Sequence, residues 1–151
     1  MAVQPTDLLL KQIMTNENLH AAGAFNGVFD LMDLRLFVNN PVLSKTSVLA
    51  DLTAPTFAGY ADKANIVLGA LHQRPDKGWA YDTPLESFQM ADNLLPTVIM
   101  GYGCFPHGTT DLWFAEYLPA PVALVTTADM LNLVAQFCLG GLDWGQCTVI
   151  P

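Results

Sequence analysis

Charged residues are scarce in this chain, and basic residues are the scarcest of them. Charged side chains make up 13% of the 151 residues, against about 25% in typical soluble domains. Six lysines and arginines stand against fourteen aspartates and glutamates, which gives a net charge of -8. Such a field repels phosphate backbones and anionic membranes, and the basic residues form no stripe with aromatic residues. We therefore expect no nucleic-acid partner.

The sequence also lacks the features of a secretory leader and of a membrane span. No basic region precedes the short Leu8-Leu9-Leu10 run, which ends at Lys11. Proline, glycine or polar residues interrupt the longest uncharged stretches. The three cysteines are an odd number without C-x-x-C spacing, which argues against a disulfide framework and a zinc ribbon. We expect reduced thiols in a protein that is made in the cytoplasm, is not secreted and has no membrane partner.

Signatures of catalysis are absent as well. The sequence has no P-loop string, no G-x-S-x-G string and no histidine pair at metal-ligand spacing. Cys104 and His107 are close in sequence, but the Phe-Pro step between them does not place the ring on the sulfur. The simpler interpretation is a strand that ends at Cys104 with His107 in the following turn. We expect a protein that is not an enzyme, with no catalytic residue, no metal and no cofactor.

Acidic and aromatic residues suggest two weaker possibilities. Glycoside hydrolysis needs two facing carboxylates. The candidates are Asp30 and Asp33 near one predicted strand and Asp111 and Glu116 on another, although turn caps or a solvated face are the default interpretation. A platform for sugar stacking has five aromatic candidates: Trp79, Tyr81, Trp113, Tyr117 and Trp144. Trp113, Ala115 and Tyr117 alternate on one predicted strand face, which suits a core or an interface.

Apolar residues, by contrast, are abundant. They make up 52% of the chain, and the mean hydropathy is +0.32. Monomers rarely expose large apolar patches, so part of this area is expected to be buried against other subunits. The composition therefore predicts an assembling protein, with an unusually large core as the alternative.

Most of the chain alternates with the period of β-strands. In the first strand Leu34, Leu36 and Val38 are predicted to face one way, with Arg35 and Phe37 on the other. A loop over residues 42–60 follows, pinned to the core by four apolar residues: Val48, Leu49, Leu52 and Phe57. Further strands are expected at residues 65–71, 79–81, 85–90, 97–105, 111–118, 122–126 and 130–139. This spacing predicts an all-β fold, an antiparallel β-sandwich or jelly roll formed by residues 21–151 as one domain.

The first twenty residues form a separate segment in this interpretation. Thr6 can cap a short helix whose apolar residues recur near helical spacing. These residues are Leu8, Leu9, Leu10, Ile13 and Met14. We expect residues 1–20 to be an N-terminal arm and these five side chains to form an interface with a neighbouring subunit. A helix packed on the domain's own core is the alternative.

Two stretches carry a resemblance to a known class of proteins. They are Leu34-Arg-Leu-Phe-Val-Asn-Asn-Pro41 and Leu49-Ala-Asp-Leu-Thr-Ala-Pro-Thr-Phe-Ala-Gly-Tyr-Ala61. Together they resemble small tailed-phage virion proteins in which a strand and an Asn-rich turn precede an "aDlteatfsGYa"-like stretch. Residues 97–103 and 113–117 are similar to the "tvyGyfv" and "laE.f" strands of such proteins. The resemblance covers residues 33–139, and its motifs are turns and core strands rather than catalytic signatures.

This resemblance implies a β-sandwich component of a phage particle, located in the virion. The expected function is that of a capsid decoration or cement protein, which stabilises the shell by apolar contacts. Its expected partners are further copies of itself, in a homo-oligomer such as a trimer, and other virion proteins such as a major capsid protein. A tail or baseplate protein, which binds a receptor or carbohydrate, is the alternative. The apolar N-terminal segment and the C-terminal part with its cysteines depart from the pattern.

Overall fold

Almost every regular element of the protein is a β-strand. The computed structural model describes residues 4–5, 31–44, 46–67, 69, 72–73 and 79–139. One 3-10 helix occurs among them, at Leu49–Asp51. The strands are β1 (Gln4–Pro5), β2 (Met32–Phe37), β3 (Lys63–Ile66), β4 (His72–Gln73), β5 (Trp79–Asp82), β6 (Glu86–Gln89), β7 (Thr97–Pro106), β8 (Phe114–Leu124), β9 (Met130–Leu133) and β10 (Gln136–Leu139).

The strands form three antiparallel sheets. The largest has five strands in the order β1-β8-β7-β2-β3, a second has the order β10-β5-β4, and β6 pairs with β9 in the third. The prediction of an all-β, mainly antiparallel fold is therefore confirmed, while the sandwich or jelly-roll arrangement stays a prediction. In the described part of the chain, no helix is long and apolar enough to cross a membrane.

One face of the five-stranded sheet carries the main core. Leu34 lies opposite Cys104, and Leu36 opposite Tyr102, and all four side chains are fully buried. The same apolar cluster includes residues of the two-stranded sheet: Phe88, Leu131 and Leu133. Because side chains opposite each other in a sheet share a face, this pairing explains how the two sheets share a core. Val38 also packs against it, so the predicted facing of this strand is confirmed.

The opposite face of the sheet is covered by the loop that follows β2. Phe37 and Ala115 pack there against Leu49 and Leu52 of this loop. Phe57 is also buried, but it belongs to the main core. The prediction that these apolar residues pin the loop is confirmed for Leu49, Leu52 and Phe57 and wrong for Val48, which is 50% exposed. The loop thus covers this face of the sheet around Phe37, Phe105 and Ala115. Val98 of β7 and Ala123 of β8 remain exposed.

Several strand predictions were wrong in their boundaries. The strand expected at residues 65–71 is β3, which runs from Lys63 to Ile66. Residues 111–118 and 122–126 were expected to form two strands, but β8 runs continuously from Phe114 to Leu124. Residues 130–139 were expected to form one strand, but they form β9 and β10 in different sheets. The chain changes partner at Ala135, whose N–H donates to Thr83 Oγ1 and whose carbonyl accepts the Thr83 N–H. The alternation of buried Leu131, Leu133 and Ala135 is as predicted.

Candidate interaction surface

The paired strands β7 and β8 contain long segments without charged residues. Residues 94–106 contain no Asp, Glu, Lys or Arg, and neither do residues 117–128. In the structure these two segments lie side by side as β7 and β8, with Thr97 opposite Leu124 and Ile99 opposite Val122. The part of the surface that these two segments form is therefore uncharged and mainly apolar.

The register shows which of these side chains face outward. Ile99 belongs to the main core and Val122 packs against it, so this cross-strand pair faces inward. The neighbouring pair, Val98 and Ala123, faces the other way. Both are exposed, Val98 to 48%. The pairing of β7 with β8 is irregular between Ile99 and Gly101, and Pro119 and Pro121 lie in the β8 segment at this irregularity. We call the exposed apolar residues of this region the outer ribbon: Val98, Pro119, Pro121, Ala123 and Val125.

Two linked turns fix the end of the ribbon. Asp129 Oδ2 accepts hydrogen bonds from the backbone N–H groups of Val125 and Thr126, at 2.7 and 2.8 Å, and these bonds lower the pKa of Asp129. The N–H of Thr127 donates to Asn93 Oδ1 at 2.6 Å. The hydrogen bond between Thr127 and Asn93 ties the turn after β8 to the turn before β7.

The turn before β7 adds two exposed apolar side chains beside the ribbon. Leu94 is 79% exposed and Leu95 is 54% exposed. Such residues are ordinary when single, but contiguous exposed apolar area marks a contact site. The turns at this end of the sheet are thus tied together by hydrogen bonds, and exposed apolar side chains lie in them and in the adjoining strands.

A second apolar feature lies along the edge of the same strand. A groove of about 460 Å³ separates β8 from β9. We call it the β8–β9 groove, and it is lined by Leu118, Pro119, Ala120, Val122, Met130, Leu131 and Asn132. Asn132 is the one polar residue of this lining, and none is charged. The groove therefore suits apolar side chains rather than a charged ligand.

The edge of β8 at this groove is open. Strand β1 pairs with β8 at Ala115 and Phe114 alone, and among the described strands no other pairs with this edge. Pro119 and Pro121 lie in the open part, and prolines in strands are tolerated where the nitrogen faces an unpaired edge. Because they remove N–H donors, they also discourage the addition of a further strand.

Cys104 and His107, the candidate nucleophile and base, do not contact each other. Cys104 is fully buried in the main core, and burial raises the pKa of its thiol above the usual range. His107 lies in the turn after β7, where its Nδ1 is 2.8 Å from Asp33 Oδ1. That carboxylate oxygen also accepts the N–H of Asn65 at 3.0 Å. His107 and Asp33 thus join the ends of β7, β2 and β3, a contact that could not be predicted from the sequence.

The candidate carboxylates do not face each other either. Glu116 lies on the core face of β8 opposite Tyr102, whereas Asp33 lies opposite Phe105 on the other face of the sheet. Asp111 is exposed, and Asp30 lies outside the described residues. The expectation of a solvated face or turn cap is wrong for Glu116, which is 4% exposed. Its burial is possible because Tyr102, directly across the strand pair, supplies a donor.

Of the five aromatic candidates for sugar stacking, Trp113 and Tyr117 have described side chains, and both pack against other residues of the protein. Trp113 is fully buried in the main core, so its ring is closed to a sugar. It precedes β8 and does not share a face with Ala115 and Tyr117, which contradicts the predicted alternation. Tyr117 packs edge-on against Phe37 and donates its hydroxyl to the carbonyl of Pro41. Trp79, Tyr81 and Trp144 lie outside the described side chains.

The predicted interface residues of the arm lie outside the described residues, so their role stays a prediction; they are Leu8, Leu9, Leu10, Ile13 and Met14. Within the described ranges, no group of three or more His, Cys, Asp or Glu residues could hold a metal ion. Sequence reasoning overlooked the outer ribbon. The signal for it is the lack of charge in residues 94–106 and 117–128, but only the register shows that alternate residues there are left uncovered.

Comparison with known proteins adds no relative. No family model matches the chain, and no curated protein or solved structure is significantly similar to it.

Proposed function

We propose that this protein is a structural protein of a tailed-phage virion, which decorates the capsid and stabilises the shell by apolar contacts with neighbouring subunits. The outer ribbon is the observation that carries the proposal. It is an exposed and uncharged face on an acidic protein. Permanent contacts between subunits are built from surfaces of this kind, because they bury apolar area and desolvate no charge.

The positions that resemble phage virion proteins support the proposal by the structural role of their residues. Gly59 has a φ of +87°, in the left-handed region that favours glycine. The hydroxyl of the next residue, Tyr60, accepts the N–H of Leu36 at 2.9 Å. The shared motif thus fixes a turn against the first strand of the sheet. A motif that specifies a fold rather than a reaction is consistent with a structural protein.

The electrostatics favour a protein partner. The net charge of -8 opposes contact with nucleic acid, so a decoration protein of this kind would bind the outer protein shell, such as the major capsid protein, rather than the packaged genome. Association through uncharged surfaces also depends little on salt, which suits a permanent contact. We therefore place the outer ribbon against the shell.

A binding experiment with capsids that lack the protein tests this assignment. Purified wild-type protein and the Val98→Lys variant are added to such shells, and the bound copies are counted after sedimentation. We expect Val98→Lys to weaken binding about tenfold or more, because the ammonium group loses its hydration at an apolar contact. Val67→Lys is the matched control, since Val67 is 61% exposed and directly follows β3, the strand at the far edge of the sheet.

Two results would contradict the proposal. Equal binding of the two lysine variants would show that the outer ribbon does not contact the shell. Immunogold micrographs that place the protein on the tail, together with no binding to bare capsids, would favour the tail or baseplate alternative.

A further inference from the structure

We infer that the β8–β9 groove binds the apolar side chains of residues 8–14 from a second copy of this chain. This contact concerns assembly of the protein with itself, and it is independent of binding to a capsid. Four observations carry it: the lining of the groove, the prolines on its edge, the chemistry of the segment and the direction of β1.

The lining requires an apolar occupant. Leu118 and Leu131 form the buried floor of the groove, while Met130 at its rim is 48% exposed. The volume of about 460 Å³ is large enough for several aliphatic side chains. A charged occupant would lose its hydration without finding an ion partner in the lining.

Pro119 and Pro121 limit how an occupant can bind. An extended peptide would add to the open edge of β8 through backbone hydrogen bonds. Pro119 and Pro121 have no N–H to contribute, so strand addition is disfavoured there. The remaining mode is the insertion of side chains from a helix, which needs no backbone donors on the groove.

The sequence contains one segment with this chemistry. Leu9, Leu10, Ile13 and Met14 recur at the spacing of one helix face, with Lys11 as the charged residue among residues 8–14. A helix of two turns is marginal in water, so it needs a surface to stabilise it. The groove and the segment are therefore complementary in polarity, and the spacing of the segment predicts the helical form that the groove requires.

The direction of β1 favours a second copy over the same chain. Gln4 lies opposite Ala115 and Pro5 opposite Phe114, so β1 leads away from Leu118, where the groove begins. Phe114 and Leu118 are about 13 Å apart along β8. The chain's own segment would have to reverse direction within residues 6–7 to reach the groove. A segment from a second copy has no such constraint.

Sedimentation of the purified full-length protein gives the first test. We expect the wild type to associate, and Met130→Lys to raise the apparent dissociation constant about tenfold or more, since the lysine places a charge at the rim of an apolar contact. The double substitution Leu9→Asp with Ile13→Asp is expected to do the same. Val42→Lys is the control, because Val42 is 93% exposed and does not line the groove. Circular dichroism checks that each variant is folded.

Photo-crosslinking identifies the occupant. A benzophenone side chain at position 130 is introduced into full-length protein, and copies labelled with nitrogen-15 are co-refolded with unlabelled copies. We expect crosslinks from position 130 to residues 8–14 that join a labelled peptide to an unlabelled one. Crosslinks confined to peptides of one isotope would show that the chain fills its own groove. That result, crosslinks to other segments, or a wild type that stays monomeric would overturn the inference, whether or not the protein binds a capsid.

Discussion

The hydroxyl of Tyr102 donates a hydrogen bond of 2.7 Å to Glu116 Oε2 inside the main core. The two residues are direct cross-strand partners on β7 and β8, and Tyr102 is fully buried. Burial raises the pKa of Glu116, and the bond from Tyr102 opposes this effect without cancelling it. The fold therefore holds a carboxyl group whose pKa lies above its ordinary value.

The first prediction concerns the pH dependence of stability. Glu116 has a folded pKa above its ordinary value of 4.5, so its contribution to stability is complete below about pH 4.5. As the pH rises towards the folded pKa, the unfolded chain releases its proton first, and stability falls by up to about 1.4 kcal/mol per pH unit. Glu116→Gln removes this slope, because the amide keeps an acceptor for Tyr102 and does not titrate.

Urea unfolding of both proteins between pH 4 and pH 8 measures the effect as the difference between their free energies of unfolding. Glu86→Gln serves as the control, since Glu86 lies on β6 and is partly exposed. A difference between wild type and Glu116→Gln that stays constant over the whole pH range would contradict the prediction.

The second prediction concerns the thiol of Cys104. The side chain is fully buried, and burial together with the nearby Glu116 raises its pKa. Only the thiolate reacts with an alkylating reagent, so native Cys104 is expected to stay unlabelled at neutral pH. In denaturant without reductant, we expect all three cysteines to be alkylated, as their odd number and the lack of C-x-x-C spacing predict.

Mass spectrometry of peptides from the native and denatured protein gives this result. An added thiol at an exposed position, Ala123→Cys, shows the rate expected for an open site. Native labelling of Cys104 at that rate would mean that the core opens easily. A disulfide within the denatured chain would contradict the prediction of free thiols.

The strands that could be predicted from the sequence are those with local alternation. Leu34, Leu36 and Val38 repeat with period two, and the buried face of a strand follows from that period alone. The division between β9 and β10 could not be predicted, because it depends on partners distant in sequence. Residues 130–133 pair with β6, whereas residues 136–139 pair with β5.

The surface was harder to predict than the core. Glu116 looked like a solvated acid, because the sequence does not show that Tyr102 lies across from it. Val98 and Ala123 looked like ordinary strand residues. Their exposure depends on the loop after β2, which covers Phe37 and Ala115 but ends before the outer ribbon. The exposed apolar surface thus depends on which part of the sheet face the loop leaves uncovered.

The third prediction concerns the close approach of β2, β7 and β8 at Gly101. A Cβ atom at this position would overlap the carbonyl oxygen of Glu116 and the ring of Phe37. The backbone and a fully buried ring cannot both give way, so Gly101→Ala is expected to destabilise the protein by about 1–3 kcal/mol or more. Thermal or urea unfolding measures this loss.

Gly108 provides a contrasting control for the same substitution. Its φ is +75°, and a Cβ atom there would meet nothing within 4 Å. Gly108→Ala therefore carries backbone strain alone, about 1–2 kcal/mol. Strain leaves the packing of the core unchanged, so only Gly101→Ala should also alter the near-UV circular dichroism of the buried aromatic residues. An unchanged spectrum with wild-type stability would contradict the overlap.

The last prediction concerns the hydroxyl of Tyr60. It accepts the N–H of Leu36 at 2.9 Å and donates to Asp62 Oδ1 at 2.8 Å. Tyr60→Phe keeps the stacking of the ring on Phe88, but it removes the acceptor of the Leu36 N–H in β2. A buried donor that loses its partner costs about 1–3 kcal/mol. We therefore expect a loss of this size in the free energy of unfolding, measured in urea.

Tyr117→Phe is the matched control, because it also removes one hydroxyl that bonds to the backbone. Tyr117 donates to the carbonyl of Pro41, and Pro41 is partly exposed. Water can replace the lost donor there, so the expected cost is smaller, about 0.5–1.5 kcal/mol. The ion pair of Arg35 with Asp62 remains in both variants, so it does not enter the comparison. If Tyr60→Phe lost no more stability than Tyr117→Phe, the hydroxyl of Tyr60 would not be what secures this edge of the sheet.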